Sequence, residues 1–546
     1  MIRRLRGRNT YGLLACAAAF GAMAAPALAS AAQDTGDGPL ASSAPQADAP
    51  VDINEFEVAG NTLLPVIDVQ AAIYPFAGPG KHLSDVESAR AALQKVYEDK
   101  GFQAVSVVIP QQKVQGGVVR LQIIETKTAQ ISVTGAKHAS AKQITSQLPE
   151  LQTGTSPNFN TLNTQLTALN TRSADLQVTP QLKAGAAPDT LDVELEVTDK
   201  LPLHWGLEVN NAYSQNTHHL RAQGNFSYDD LWHRGHSLSA FYLTAPGHSK
   251  DSEVYAITYS LPIGDKGLRL AATALHSGSD VSTVGSMAVL GKGNSLTVNA
   301  YVPLSNWGKA SQTLTLSVAA KDFEDRITLG DTGDTTPITY FPISATWGMS
   351  VRSGKNAFTS SLGATLGLRG LGSKGTDYDA KRYFASGNFA TLRPAVTWTR
   401  TFAGDHQLYA DLDAQFSNGP LISNEQFSIG GYGSVRGYLQ STALGDNGVH
   451  GSFEVRSSPW GIILDPKNVF LTNLRGLAFF DFGYAEIDKP LPEQQDKFRM
   501  SSTGLGIRSV LFKDYHFDAD IAWPLRDQGK LKAGDPQFQF RLYLQH

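Results

Sequence analysis

Residues 362–369 read Leu362-Gly363-Ala364-Thr365-Leu366-Gly367-Leu368-Arg369. Every second residue is Leu or Ala, and the residues between are small or polar. That period of two puts one face of a β-strand into an apolar environment. The pattern recurs on both sides of this stretch. Tyr255, Ile257, Tyr259 and Leu261 alternate with Ala256, Thr258 and Ser260, and Leu314, Leu316 and Val318 with Thr315 and Ser317. Leu408, Ala410 and Leu412 alternate with Tyr409, Asp411 and Asp413, and Phe517, Ala519, Ile521 and Trp523 with Asp518 and Asp520. Charges gather on the second face, among them Arg269, Arg369, Asp411, Asp413, Asp520 and Arg541.

A soluble β-sandwich burying its apolar face would give the same local pattern. Three features favour a membrane barrel instead. The alternation lasts for about 340 residues, it follows a secretory signal, and its strands run near 8–10 residues, the length a tilted membrane strand needs. The apolar face then meets lipid and the charged face lines a wet lumen. The sheet must close, because an open edge would leave backbone groups unsatisfied in lipid. At about 20 residues per strand and connection, this length gives about 16 antiparallel strands, an even number as such barrels require.

The composition agrees. The 546 residues are 41% hydrophobic and 18% charged, with 51 Gly, and the mean hydropathy is −0.20. After the first thirty residues no apolar run approaches the roughly 18 residues of a membrane helix. A net charge of −4 argues against a nucleic-acid partner. A polytopic helical membrane protein, a disulfide scaffold and a disordered chain are all excluded.

At the N-terminus, Arg3, Arg4, Arg6 and Arg8 precede an apolar run from Tyr11 to Ala25 and the small residues of Ala27-Leu28-Ala29. Residues 1–29 are therefore a signal peptide. Leu13-Leu14-Ala15-Cys16 faintly resembles a lipoprotein box, but the apolar stretch before Cys16 is too short. The only cysteine thus falls in a segment the mature chain discards. Residues 30–50, with Pro39, Pro45 and Pro50, read as a flexible linker.

Residues 51–127 and 128–199 share one plan: strand, helical region, strand, strand. Phe56–Asn61 is a short strand ending in a turn, and Ser84-x-x-Glu87 has the form of a capping box. Val86, Arg90, Leu93, Val96 and Tyr97 follow at helical spacing until Gly101. In the second unit, Ile131–Gly135 echoes the first strand, and Phe159, Leu162, Leu166 and Leu169 form a helical stripe. Two units of about 70 residues make an internal repeat.

At this point the chain resembles the two-partner secretion transporters of the haemolysin secretion/activation type, within the outer-membrane assembly superfamily. Both repeats resemble POTRA domains, the first through Phe-x-Val-x-Gly-Asn at 56–61. Asp230-Leu231-Trp232-His233-Arg234-Gly235 resembles the signature near the first barrel hairpin. Val435-Arg436-Gly437-Tyr438, preceded by Ile429–Ser434, resembles the motif at the tip of the sixth extracellular loop. Phe479-x-Asp481-x-Gly483 resembles its companion on the lumen wall of strand 13. Gly504-x-Gly506 and Asp520-x-x-x-Pro524-Leu525 fit the last strands. Order and spacing together carry this resemblance. The fold it implies is two α+β POTRA domains (51–127 and 128–199) ahead of an all-β transmembrane barrel (200–546), with a long inward-folded loop near 419–450.

The residues support part of this without the resemblance. The connection 420–448 is long and Gly-rich, and such loops are usually functional. If the Phe480 register faces lipid, Asp481 points into the lumen, where a carboxylate needs a partner. A guanidinium can supply one in bidentate form. The resemblance implies that Arg436 is that partner. The alternative is a solvated Arg436 and a generic lumen charge at Asp481.

Two departures from the family stand out. Residues 33–50 are too short and Pro-rich for an N-terminal plug helix, so the loop is expected to do most of the closing. The terminal strand ends on His546 where such strands commonly carry Phe.

The expected function is export. The POTRA pair sits in the periplasm of a Gram-negative cell and captures an unfolded secreted partner by β-augmentation, with Leu176–Leu182 and Val118–Ile124 as candidate surfaces. The barrel, inserted into outer-membrane lipid by the assembly machinery, passes the chain outward. No enzyme motif, cofactor site or metal site is expected; His218-His219 and His233-x-x-His236 read as loop or interface histidines. The alternatives are an assembly or insertion factor of the same superfamily, a passive porin and a soluble adhesin.

Overall fold

In a computed structural model of the protein, the described residues are 50–545, apart from 216, 265, 279–280, 285–286, 330–331, 461–470, 513 and 530. The expected signal peptide with Cys16, the linker up to residue 49, and His546 lie outside the described residues.

The first unit builds a three-stranded sheet in the order Glu55–Ala59, Val118–Glu125, Val105–Val108, the first pair parallel and the second antiparallel. Helices Val66–Ile73 and Leu83–Asp99 cover it. The second unit repeats the order with Lys127–Thr134, Thr190–Asp199 and Leu176–Ala184, under helices Ala141–Ser146 and Phe159–Arg172. Ala89, Leu93 and Tyr97 pack on Leu121 and Ile123 in the first core. Leu162, Leu166 and Leu169 pack on Val193 and Leu195 in the second.

The repeat extends to atomic detail. Gly60 and Gly135 end the first strand of their units at φ +89° and +81°, where L side chains are strained. A Cβ on Gly60 would lie 2.3 Å from the Ile123 carbonyl oxygen, and one on Gly135 2.4 Å from that of Val197. Two residues after each contact carbonyl stands a carboxylate that receives the turn. Glu125 accepts from the Thr62 and Leu63 N–H groups at 2.7 and 3.0 Å. Asp199 accepts from Lys137, His138 and Ala139 at 2.6–2.9 Å.

Several sequence expectations need correction here. The long helix of the first unit is capped by His82, not Ser84, because the chain is still extended at His82 and the Asp85 carboxylate accepts the His82 N–H at 2.8 Å. Ala89 rather than Arg90 lies on the buried face. Arg90 sits at its border and donates to the Val107 carbonyl at 3.4 Å. Val118–Glu125 is the central strand of its sheet, paired on both sides, so it has no free edge for an added strand. The edge beside it, Val105–Val108, is sealed: Gln94 binds the Val105 carbonyl and the Val107 N–H, both at 2.9 Å.

From Leu203 onward the chain forms a closed antiparallel barrel, with Leu203–Asn210 pairing both with Arg221–Leu231 and with the last strand, Gln537–Gln545. Seventeen strand segments make up the wall. Thr332–Tyr340 and Ile343–Ser353 pair along the same neighbour, Ala310–Leu329, and form one wall strand broken at Phe341-Pro342. Proline lacks the N–H that would continue the ladder there. The barrel therefore has sixteen strands.

Leu207, Ile257, Val318, Val455 and Leu505 project outward, while Glu454, Asp481 and Asp520 are buried within. The opening stretch behaves differently at its end. The strand Asn356–Leu366 stops before Gly367, so Leu368 and Arg369 lie in the connection and Arg369 is not a lumen-wall charge. That connection carries a helix, Gly375–Lys381, started by Asp377 accepting the Lys374 N–H at 2.7 Å.

Candidate functional site: the loop folded into the lumen

Residues 418–446 join the eleventh wall strand, Gln407–Ser417, to the twelfth, Asn447–Arg456. They contain a short hairpin, Phe427–Ile429 with Ala443–Gly445, that leads to the tip around Arg436. Val435, Tyr438, Ile429 and Phe427 form a small apolar cluster with Ala485 and Met500 of the wall.

Arg436 is 4% exposed and Asp481, on the thirteenth wall strand Leu471–Glu486, is fully buried. The guanidinium grips the carboxylate in a fork: Nε donates to Oδ2 at 2.7 Å and Nη2 to Oδ1 at 2.8 Å. The Arg436 backbone N–H adds a third bond to Oδ2 at 3.0 Å. Ser452 Oγ lies within hydrogen-bond distance of both partners, accepting from Nη2 at 2.8 Å and donating to Oδ1 at 2.7 Å. Nη1 meets Glu454 at 2.7 Å and Asp520 at 3.8 Å. The Phe479 ring lies under the guanidinium, 3.6 Å from its centroid, a cation–π contact worth about 2 kcal/mol when desolvated. Removing Arg436 would strand the buried Asp481 carboxylate, at a cost of about 3–5 kcal/mol.

The remaining motif residues make room for this grip. Gly483 faces the tip: a Cβ there would lie 2.8 Å from Val435 Cγ2. Gly437 takes φ +87° against Ala522 of the wall. Tyr438 donates its hydroxyl between the carbonyls of Ser501 and Arg526, at 3.1 and 3.0 Å. Gly506 leaves space for the Asp520 carboxylate, which binds Arg508 at 2.8 and 3.0 Å. Residues scattered from 435 to 524 thus converge on one point of the lumen.

Sequence reasoning missed Ser452 and Glu454, although they stand in the inward register with His450 and Arg456. It also missed Asp446, which is fully buried at the loop base. Asp446 accepts from the backbone N–H groups of Leu421 and Asp488 at 2.8 and 2.7 Å and from Gln426 at 2.9 Å. A lone acid after Gly445 carries no periodicity that would mark it.

The family model for haemolysin secretion/activation proteins ShlB/FhaC/HecB matches residues 189–509, and that of the ShlB-type POTRA domain matches 51–126. The outer-membrane transporter CdiB of Dickeya dadantii is 22% identical over 448 residues, covering 78% of this chain and 75% of its own. Among solved structures, CdiB from Escherichia coli matches 93% of this chain and 92% of its own, with a TM-score of 0.60 at 17% identity. BamA from Haemophilus ducreyi lacking POTRA domains 1–3 matches 91% of this chain and all of its own, with a TM-score of 0.55 at 14% identity.

Proposed function

The chain belongs to the haemolysin secretion/activation family of outer-membrane translocators, and from that premise we propose that it exports an unfolded partner through a pore held shut by the Arg436–Asp481 lock. The barrel lies in the outer membrane of a Gram-negative cell with POTRA domains in the periplasm, and the family is transport machinery rather than catalytic. The observation that carries the lock is the buried bidentate pair, with Glu454 and Ser452 completing the shell. Its charges are matched only while the loop is folded in, so leaving the lumen is costly and needs a trigger.

Capture is proposed at Leu176–Ala184, an edge strand of the second unit's sheet. Asn170 binds both the N–H and the carbonyl of Val178, at 2.7 and 3.0 Å, so the even-numbered residues of this strand turn their backbone groups outward. Pro180 fits that register because it has no N–H to pair. Beyond it, Leu182 and Ala184 offer N–H and carbonyl groups to an extended segment of cargo. The chain then passes through the barrel as the loop shifts, and folding of the cargo outside supplies the direction.

The test uses Arg436→Ala and Asp481→Ala, each first checked for normal heat-modifiable migration. Both are expected to raise the conductance of the barrel in planar bilayers and to depress secretion of a co-expressed partner protein. Wild-type conductance and secretion in both variants would sink the lock.

A further inference from the structure

Asp175, His204 and Asp229 meet where the second POTRA-like unit joins the barrel. Asp175 follows the helix Phe159–Arg172, His204 opens the first wall strand, and Asp229 lies near the periplasmic end of the second, Arg221–Leu231. One ligand atom from each lies within 4.8 Å of the other two. His204 Nε2 is 2.8 Å from Asp175 Oδ2 and 3.8 Å from Asp229 Oδ2. In a coordination shell with bonds near 2.1 Å, neighbouring ligand atoms stand roughly 3 Å apart, so these separations bracket what a shared ion requires.

We propose that these three side chains bind a divalent cation of the zinc or manganese class, and that the ion clasps the POTRA pair to the barrel. One imidazole and two carboxylates form a borderline donor set that suits these ions, with water completing the shell.

The backbone around the cluster is already braced. The Lys200 N–H donates to the Asp175 carbonyl at 2.9 Å, and the Asp229 N–H to the Pro202 carbonyl at 2.8 Å. His204 is held in register opposite Ser227. The linking segment 200–204 is therefore tied to the periplasmic unit at one end and to the wall at the other. An ion would take the place of the 2.8 Å His204–Asp175 hydrogen bond and draw Asp229 in from 3.8 Å.

The charge balance points the same way. Two carboxylates face one imidazole, and Asp230 stands next to Asp229 with His233 at 3.5 Å. Arg269 on the neighbouring wall, held by the Gly235 carbonyl and Ser260 at 3.1 and 2.9 Å, offsets one of the three carboxylates Asp175, Asp229 and Asp230 from a distance. A divalent ion would offset the remaining excess of negative charge.

The experiment takes the full chain, purified in detergent without a histidine tag and stripped with chelator, and titrates ZnCl2 and MnCl2 by calorimetry. Wild type is expected to bind one equivalent at least tenfold more tightly than His204→Gln or Asp229→Asn, both of which keep the wall strand intact. Other surface histidines contribute equally to all three proteins and cancel in the comparison. Equal binding by all three would overturn the proposal. A second reading uses trypsin, which can cut after the exposed Lys200 in the link. Zinc is expected to slow that cut in wild type and to leave it unchanged in His204→Gln. Protection that follows falling pH but not added cation would mean a protonated imidazole clasp, and the metal proposal would fail.

Discussion

At the scale of single residues, the proposed lock at the loop tip has a steric and an electrostatic part, and the two can be separated. Asp481→Asn keeps the shape but removes the charge, so it leaves Arg436 facing Glu454 and holding a neutral amide by weaker hydrogen bonds. We expect a smaller conductance increase from it than from Asp481→Ala, read in the same bilayer assay. Gly483→Val tests the steric half. The added Cβ would stand 2.8 Å from Val435 Cγ2, while both charged partners remain. The tip is expected to be displaced and the conductance to rise toward that of Arg436→Ala, with heat-modifiable migration unchanged. The resemblance made Arg436 and Asp481 visible from the sequence. Ser452 and Glu454 were legible only as members of an inward register, because nothing in their neighbours says which lumen charge they meet.

At the scale of elements, each periplasmic unit closes on a glycine turn received by a carboxylate. Partial burial raises the Asp199 carboxyl, but backbone bonds from Ala139, His138 and Lys137 outweigh it and hold it below the usual carboxylate range. A carboxyl depressed on folding contributes stability that is present above its unfolded value, about 3.9, and is lost as pH falls through the folded one. Asp199→Asn should therefore flatten the acid limb of the second unit's stability below about pH 5, measured by hydrogen exchange of that unit in the full chain. Gly135→Ala should destabilise the same unit by more than about 1 kcal/mol, because the new methyl meets the Val197 carbonyl and the backbone is left-handed. These helices and strands were legible from periodicity. Which strand is the edge was not: Val118–Glu125 and Val105–Val108 are both β-rich, and only the sheet order separates them.

At the scale of the whole molecule, the barrel closes where its first and last strands meet. Among the described residues that ladder holds five pairs, Arg541 to Gln545 against Asn210 to Gly206, whereas the preceding one holds eight. Side chains extend it. Arg541 meets Glu208 at 2.7 Å across the seam, and the Asn211 amide binds the Phe538 carbonyl and the Phe540 N–H, both at 2.8 Å. The folded loop touches both sides, with the Gln440 N–H on the Tyr213 carbonyl at 3.0 Å and Gln539 donating to the Tyr438 carbonyl at 3.4 Å. Combining Asn211→Ala with Glu208→Gln removes the side-chain extension. The temperature at which the barrel loses its compact gel migration should drop relative to wild type, and an unchanged transition would show that the five backbone pairs suffice.

A barrel behind two repeated α+β units was legible in the residues alone. Period-two alternation is imposed locally by what each face touches, lipid on one side and lumen on the other, so it can be read a few residues at a time. Tertiary structure alone decided which charges meet in the lumen, which sheet edges stay open, and that Asp175, His204 and Asp229 converge. Those meetings join residues separated by tens to hundreds of positions. They depend on sheet order, register and closure, which are set by the summed pairing of every strand and leave no mark on the residues nearby.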